Sequence, residues 1–378
     1  MSQPQTFDVL IVGGGPAGST LAWSLRDSGL RIAILDKHDF PRDKVCAGWV
    51  TPAVIDELAL DIEDYRQAHT FQPIYGFRVS QIGGREVETR YNEQPASYSI
   101  RRCEFDHYLL QRSGAELLLG EKFKSMQKTD NGWLVNNHYH AHLVVGAGGH
   151  FCPVVRAIGA KLGSSETVVA AQEIEFEMTP AQAAASPIKA DVPELFFCKD
   201  LKGYGWVVRK GDFLNVGLGR EDNHKLVEQV AEFRQQLIEQ GKIPAETPEK
   251  FHGHAYLLYP HATRPILQDG VMIIGDAAGL AYPESGEGIR PAVESALLAA
   301  RVIKQAKGDY SQQVLEGYRS LLTARLGQRG GKDLSEFLPA WFKQSLAGML
   351  LSTRWFVKNY VVERWFLHAQ QAPLSPEI

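Results

Sequence analysis

A glycine-rich turn set between an apolar run and a helical one is the feature that most constrains this chain. Phe7 to Val12 reads as a buried strand, Gly13-Gly14-Gly15-Pro16-Ala17-Gly18 as a tight turn, and Ser19 to Ser28 as a helix with apolar positions at Leu21, Ala22 and Leu25. Gly29 stops that helix, and Arg31 to Leu35 reads as a second strand ending in Asp36. The spacing Gly13-x-Gly15-x-x-Gly18 carries meaning because a strand precedes it and a helix follows. Gly13 permits the turn, Gly15 lets backbone approach a pyrophosphate, and Gly18 lets helix and strand pack closely. The helix N-terminus then offers free N–H groups and a positive dipole end to the anion. Asp36, 23 residues after Gly13, stands where a carboxylate accepts ribose hydroxyls. The bland alternative is a glycine turn without a ligand.

No second copy of this turn exists. Gly146-Ala147-Gly148-Gly149 and Gly217-Leu218-Gly219 both lack the third glycine, so one tightly held nucleotide is expected. Ile74 to Tyr98, broken at Gly83-Gly84, reads as a hairpin, Arg101 to Ser113 as a helix, and Trp133 to Val145 as a second hairpin turning at Asn136-Asn137. Residues 165–220 are strand-like, and a polar helix fits Asn223 to Gln240. Val271 to Ile274 is a strand running into Gly275-Asp276. A long helix begins near Gly288 with one apolar stripe at Ile289, Val293, Ala296, Leu297 and Ala300. This late strand–helix element suggests a nucleotide domain interrupted by a β-rich insertion.

At 378 residues, two domains are expected. The net charge of −4 gives no basic excess to neutralise a phosphate backbone, so nucleic acid is not an expected partner. No apolar stretch approaches the roughly 18 residues needed to span a bilayer, and no signal-peptide pattern opens the chain. Cys46, Cys103, Cys152 and Cys198 form no CxxC pair, which fits a reducing cytoplasm. His138, His140 and His142 alternate on one strand face without a carboxylate or cysteine at matching spacing, so no metal is expected.

Gly275-Asp276-Ala277-Ala278-Gly279, then Pro283 and Gly286-Glu287-Gly288, resembles the second flavin-binding element of FAD enzymes with the para-hydroxybenzoate hydroxylase fold. Arg101-Arg102-x-x-Phe105-Asp106 resembles that family's arginine at a helix start beside the flavin. The place of its Gly-Ala-Asp-Gly signature is taken by Gly146-Ala147-Gly148-Gly149, with Gly148 where hydroxylases carry aspartate. Within that fold family, Pro41 to Gly48 resembles the Cys-Gly segment of geranylgeranyl reductases, and Tyr204-Gly205-Trp206, followed by Asn215-Val216-Gly217-Leu218-Gly219, resembles their Tyr-x-Trp element. The departure at Val208-Arg209 replaces their Phe-Pro.

The resemblance implies a Rossmann-type FAD-binding domain (1–72, 97–160 and 265–330), interrupted by a β-sheet substrate domain (73–96 and 161–264), with a helical C-terminal cap (331–378). It implies FAD held by Gly13, Gly15, Pro16, Ala17, Gly18, Asp36, Lys37, Arg42, Cys46, Ala47, Gly48, Arg102, Gly148, Gly275, Asp276, Gly286, Gly288 and Ile289. It further implies a flavin oxidoreductase that reduces carbon–carbon double bonds of an isoprenoid or similar apolar substrate, with Cys46, Tyr204 and Trp206 at the reacting end. The electron donor is expected to be NAD(P)H or a redox protein, in the cytoplasm, with peripheral membrane contact left open. Tyr204 and Trp206 are expected to line an apolar pocket closed by the aromatic tail around Trp341 and Trp355, with Arg209 meeting an acidic headgroup. The rival readings are a monooxygenase or halogenase of the same fold, and a non-catalytic flavin-loaded binding protein.

Overall fold

The computed structural model of the chain describes residues 3–161, 166, 168–221, 225–330 and 339–376. Its first layer is an eight-stranded sheet centred on Gln5–Val12, where Val9, Leu10 and Ile11 are wholly buried. Parallel partners lie on both sides: Ile32–Leu35 and Glu116–Leu118 on one, Tyr139–Gly146 and Val271–Ile273 on the other. These strands read as unbroken apolar runs because helices cover both faces of a parallel sheet. The Trp133–Val135 hairpin extends it beyond the Tyr139–Gly146 strand.

A second, seven-stranded sheet draws its strands from 76–90 and 168–257. It is antiparallel except where Glu194–Phe197 runs parallel to Gly76–Gln81. A three-stranded sheet of Trp49–Val50, Phe71–Ile74 and Ser97–Ile100 lies between these regions of chain.

The Ile289–Ala306 helix departs from the expected single stripe, being buried on nearly every side, Arg290 and Glu294 included. The reason is the C-terminal segment. The Arg290 guanidinium donates to the carbonyl oxygens of His368 and Gln371, so the tail crosses the face that would otherwise be wet. That tail forms helices at Ala340–Leu351 and Arg354–Phe356 and a wider-turn helix at Val357–Phe366. Leu351, Val357, Val361, Val362 and Phe366 pack with Trp49, Phe77 and Trp206 in one apolar cluster against the second sheet. Residues 331–338 and the side chain of Trp341 lie outside the described part. Among the described residues, no helix is long and apolar enough to cross a membrane.

Candidate active site

Two helix N-termini meet at one cavity of about 520 Å³. The Pro16–Leu25 and Ile289–Ala306 helices both have glycine at the N-cap, Gly15 and Gly288, and neither has a capping side chain or a first-turn acid. Their first-turn N–H groups therefore retain donor capacity, and both dipoles present their positive ends to an anion. Gly13 is held at φ +119°, and a Cβ there would stand 2.5 Å from the Ala147 carbonyl oxygen. At Gly288 a Cβ would stand 2.8 Å from Asp276 Oδ1. At Gly15 it would instead project toward Arg42 Nη2 at 3.6 Å, into space that a ligand can use. An extended anionic ligand with a polar ring system fits such a cradle, as FAD requires.

Most of the expected cofactor residues come together here. Gly13, Gly15, Pro16, Ala17, Asp36, Lys37, Arg42, Cys46, Ala47, Gly48, Arg102, Gly148, Asp276, Gly286, Gly288 and Ile289 all line the cavity. Gly18 and Gly275 do not; they sit where the Pro16–Leu25 helix packs, Gly18 against Gly13 and Gly275 against Ala17. Asp36 accepts hydrogen bonds from the backbone amides of Gly14 (2.7 Å) and His38 (2.9 Å), which aim its carboxylate beside the turn.

Of the two adjacent arginines, Arg102 reaches the cavity, and Arg101 stacks on Phe213 and pairs with Glu104 and Glu175. Arg102 grips Asp106 through two hydrogen bonds at 2.8 and 2.9 Å, and Arg42 shares that carboxylate at 3.3 Å. Lys44 adds a third cation; burial, then Arg102, pulls its pKa down to about 8. Burial works against the charged form of Asp276, yet His254, Lys44 and Arg102 hold its carboxyl below the ordinary range. His254 Nε2 lies 3.8 Å from Asp276 Oδ2.

One wall is aromatic. Trp49, Tyr204, Trp206 and Tyr256 line it, with Cys46 between this wall and Arg102. Tyr204 and Trp206 share a sheet face two residues apart, with ring centroids 6.0 Å apart. Phe366 packs on both Trp49 and Tyr204 at 5.6 and 5.3 Å, so the tail backs this wall without lining it. Trp355, expected to close the pocket, is 66% exposed and does not line it. Arg209 also departs from expectation: strand alternation turns it to the opposite face, where it donates to the Gly211 carbonyl. Lys210 is the cation on the Trp206 face, buried and bonded to Glu175 at 2.6 Å.

Reading the sequence alone missed Trp49, His254 and Tyr256, and placed Lys44 and Asn215 in reductase-like segments without giving either a role. His254 and Tyr256 alternate along the His252–Leu257 strand, a period-two signal that was available. Asn215 stood in the element that resembles geranylgeranyl reductases, but its contacts were not legible, because Cys46 and Glu173 come from distant segments.

Comparison with known proteins agrees with this geometry. The FAD binding domain family matches residues 6–326. Digeranylgeranylglycerophospholipid reductase 3 of Methanosphaera stadtmanae is 28% identical over 356 residues, 87% of this chain and 85% of that protein. Menaquinone reductase of Mycobacterium tuberculosis is 28% identical over 357 residues, covering 87% and 82%. Among solved structures, a geranylgeranyl bacteriochlorophyll reductase-like protein from Thermoplasma acidophilum superposes with TM-score 0.74 at 21% identity, covering 93% of this chain and 89% of that one. A halogenase in complex with FAD gives 0.66 at 17% identity, covering 91% and 76%. These two structures speak to the fold alone. With motif, cavity and family in agreement, the chain belongs to the FAD-binding-domain family and is an FAD-dependent oxidoreductase.

Proposed function

We propose that this protein reduces carbon–carbon double bonds of an isoprenoid, lipid-like substrate. The observation that carries this reading is the shared cavity: two uncapped helix N-termini and the Trp49, Tyr204, Trp206 and Tyr256 rings line the same space. A relative named for a digeranylgeranylglycerophospholipid supports the substrate class.

Reduced FAD supplies a hydride when bound. The chain's own residues do the rest. The turn at Gly13, Gly15, Pro16 and Ala17 would hold the pyrophosphate, with Gly18 and Gly275 letting the helix approach; Asp36 and Lys37 would hold the adenosine ribose. Arg42, Arg102 and Asp276 would hold the polar middle of the cofactor, and Gly286, Gly288 and Ile289 its ring system. Gly148 and the Cys46-Ala47-Gly48 segment would close over it.

An isolated alkene accepts hydride poorly, so orientation and a proton must be supplied. The aromatic wall orients the chain and excludes water. Cys46 offers a transferable hydrogen inside the cavity, whereas the Tyr204 hydroxyl is already committed to the Ser285 carbonyl. On this reading 1–72, 97–160 and 265–330 form the FAD half, 73–96 and 161–264 the substrate half, and 331–378 the cap. Electrons come from NAD(P)H or a redox protein that binds transiently.

The exposed apolar face of the tail fits peripheral contact with a membrane that stores such a substrate. Leu346, Met349 and Trp355 lie open to solvent with Lys343, Arg354 and Lys358 beside them. The test is product analysis: reductant, protein and an isoprenoid lipid should yield product gaining two hydrogens per double bond. Unaltered lipid across geranylgeranyl and quinone-linked chains would contradict the proposal.

A further inference from the structure

Asn215 is wholly buried on the Phe213–Arg220 strand, and its amide reaches two parts of the cavity at once. Its Oδ1 accepts the Trp206 indole N–H at 2.7 Å. Its Nδ2 lies 3.2 Å from the Cys46 carbonyl oxygen, and at the same distance from Glu173 Oε2 and Glu175 Oε2. The indole lies over Gly217, two residues on, where any Cβ would collide with the ring. Two residues beyond Cys46 along its loop, Gly48 rests against the buried Lys210 ammonium.

We propose that Asn215 is a positioning residue that fixes the Cys46 loop and the Trp206 ring in one mutual geometry. The two ends of the amide act differently, the oxygen orienting the ring and the nitrogen holding the loop. The Trp206 strand and the thiol-bearing loop lie far apart in the chain, and nothing in either segment alone sets their separation. One buried side chain bonded to both does so. Such a bond is worth most where water cannot replace it. The consequence for turnover rests on the reductase reading above; the geometric role does not.

The test uses the Cys103→Ser protein, with FAD bound and after its removal. Cys46 is then the one remaining cysteine that is not buried, since Cys152 and Cys198 are. Its alkylation by iodoacetamide reports how freely the loop presents the thiol, while the buried Cys152 and Cys198 report general opening. Adding Asn215→Leu should accelerate Cys46 alkylation about fivefold, the opening shift expected for one lost buried hydrogen bond, with Cys152 and Cys198 unchanged. Turnover on the isoprenoid should fall through kcat more than through KM. Should Asn215→Leu fail to fold, Asn215→Ala removes the same bonds to Trp206 and Cys46 without adding bulk or charge, and the same acceleration is expected. A wild-type alkylation rate in the variant, or all three thiols accelerating together, would overturn the proposal. Because the thiol readout needs no substrate, it stands even if no isoprenoid reoxidises the flavin, which would count against the reductase reading alone.

Discussion

The Tyr204 hydroxyl donates to the Ser285 carbonyl oxygen, joining the substrate sheet to the loop that enters the Ile289–Ala306 helix. One side chain thus belongs to the aromatic wall and also pins the turn that bears Gly286 and Gly288. Tyr204→Phe keeps the ring and leaves the carbonyl without this donor. We expect a stability loss of about 1 kcal/mol, retained FAD and slower turnover. Thermal unfolding together with flavin absorbance at about 450 nm, the usual oxidised-flavin band, checks this at about 1:1 stoichiometry. Loss of FAD would show that the bond mainly shapes the cofactor site.

Gly288→Ala should weaken FAD retention. Its Cβ would stand 2.8 Å from Asp276 Oδ1, forcing aside a carboxylate that lines the cavity. A roughly tenfold weaker affinity, about 1.4 kcal/mol, is the expected scale. Titration of apoprotein with FAD measures it; an unchanged affinity would show that Asp276 yields without consequence.

Arg290 is the hub of the tail's anchorage. It lies 2.9 Å from Glu294 and 3.7 Å from Glu57, with all three side chains almost wholly buried. Arg290→Met leaves Glu57 and Glu294 to share Arg325 and frees the carbonyls of His368 and Gln371. Removing one partner of a buried pair costs about 3–5 kcal/mol. Chemical denaturation should show a loss of this order, and limited proteolysis should cut the tail first.

The same cluster predicts a pH dependence. Burial, then Glu294, raises Glu57 to about 8 from 4.5, against Arg290 and the Leu374 amide, which lower it; Arg325 also faces it. An acid with a raised folded pKa stabilises fully below its unfolded value and ceases to as pH climbs through the folded one. Stability should therefore decline between pH 4.5 and about 8 and then level off. Glu287, raised to about 8 by burial, pushes in the same direction. Glu57→Gln should flatten the slope of Tm against pH over that window. An unchanged slope would assign it elsewhere.

How much of this could be read in advance depends on how local the chemistry is. Gly13, Gly15 and Asp36 announce themselves because a turn, a helix start and a strand end fall within 24 residues. Gly275-Asp276 and Gly288 are legible for the same reason. Arg209 is expected at the pocket only if closeness along the chain outweighs strand parity, and parity places Lys210 on the Trp206 face instead. Asn215, His254 and Tyr256 become neighbours of Cys46 and Asp276 only through sheet register and the close approach of two sheets. The covered face of the Ile289–Ala306 helix was illegible because its partner lies some 80 residues on, held by Arg290, Arg325 and Glu57 together.

The most direct test is anaerobic. Protein whose FAD has been fully reduced is mixed with a geranylgeranyl lipid in the absence of oxygen, and absorbance near about 450 nm is followed, the region where oxidised flavin absorbs. The account predicts that oxidised flavin returns as the lipid gains hydrogen. Flavin that stays reduced with every isoprenoid offered, and reoxidises only when oxygen is admitted, would contradict it.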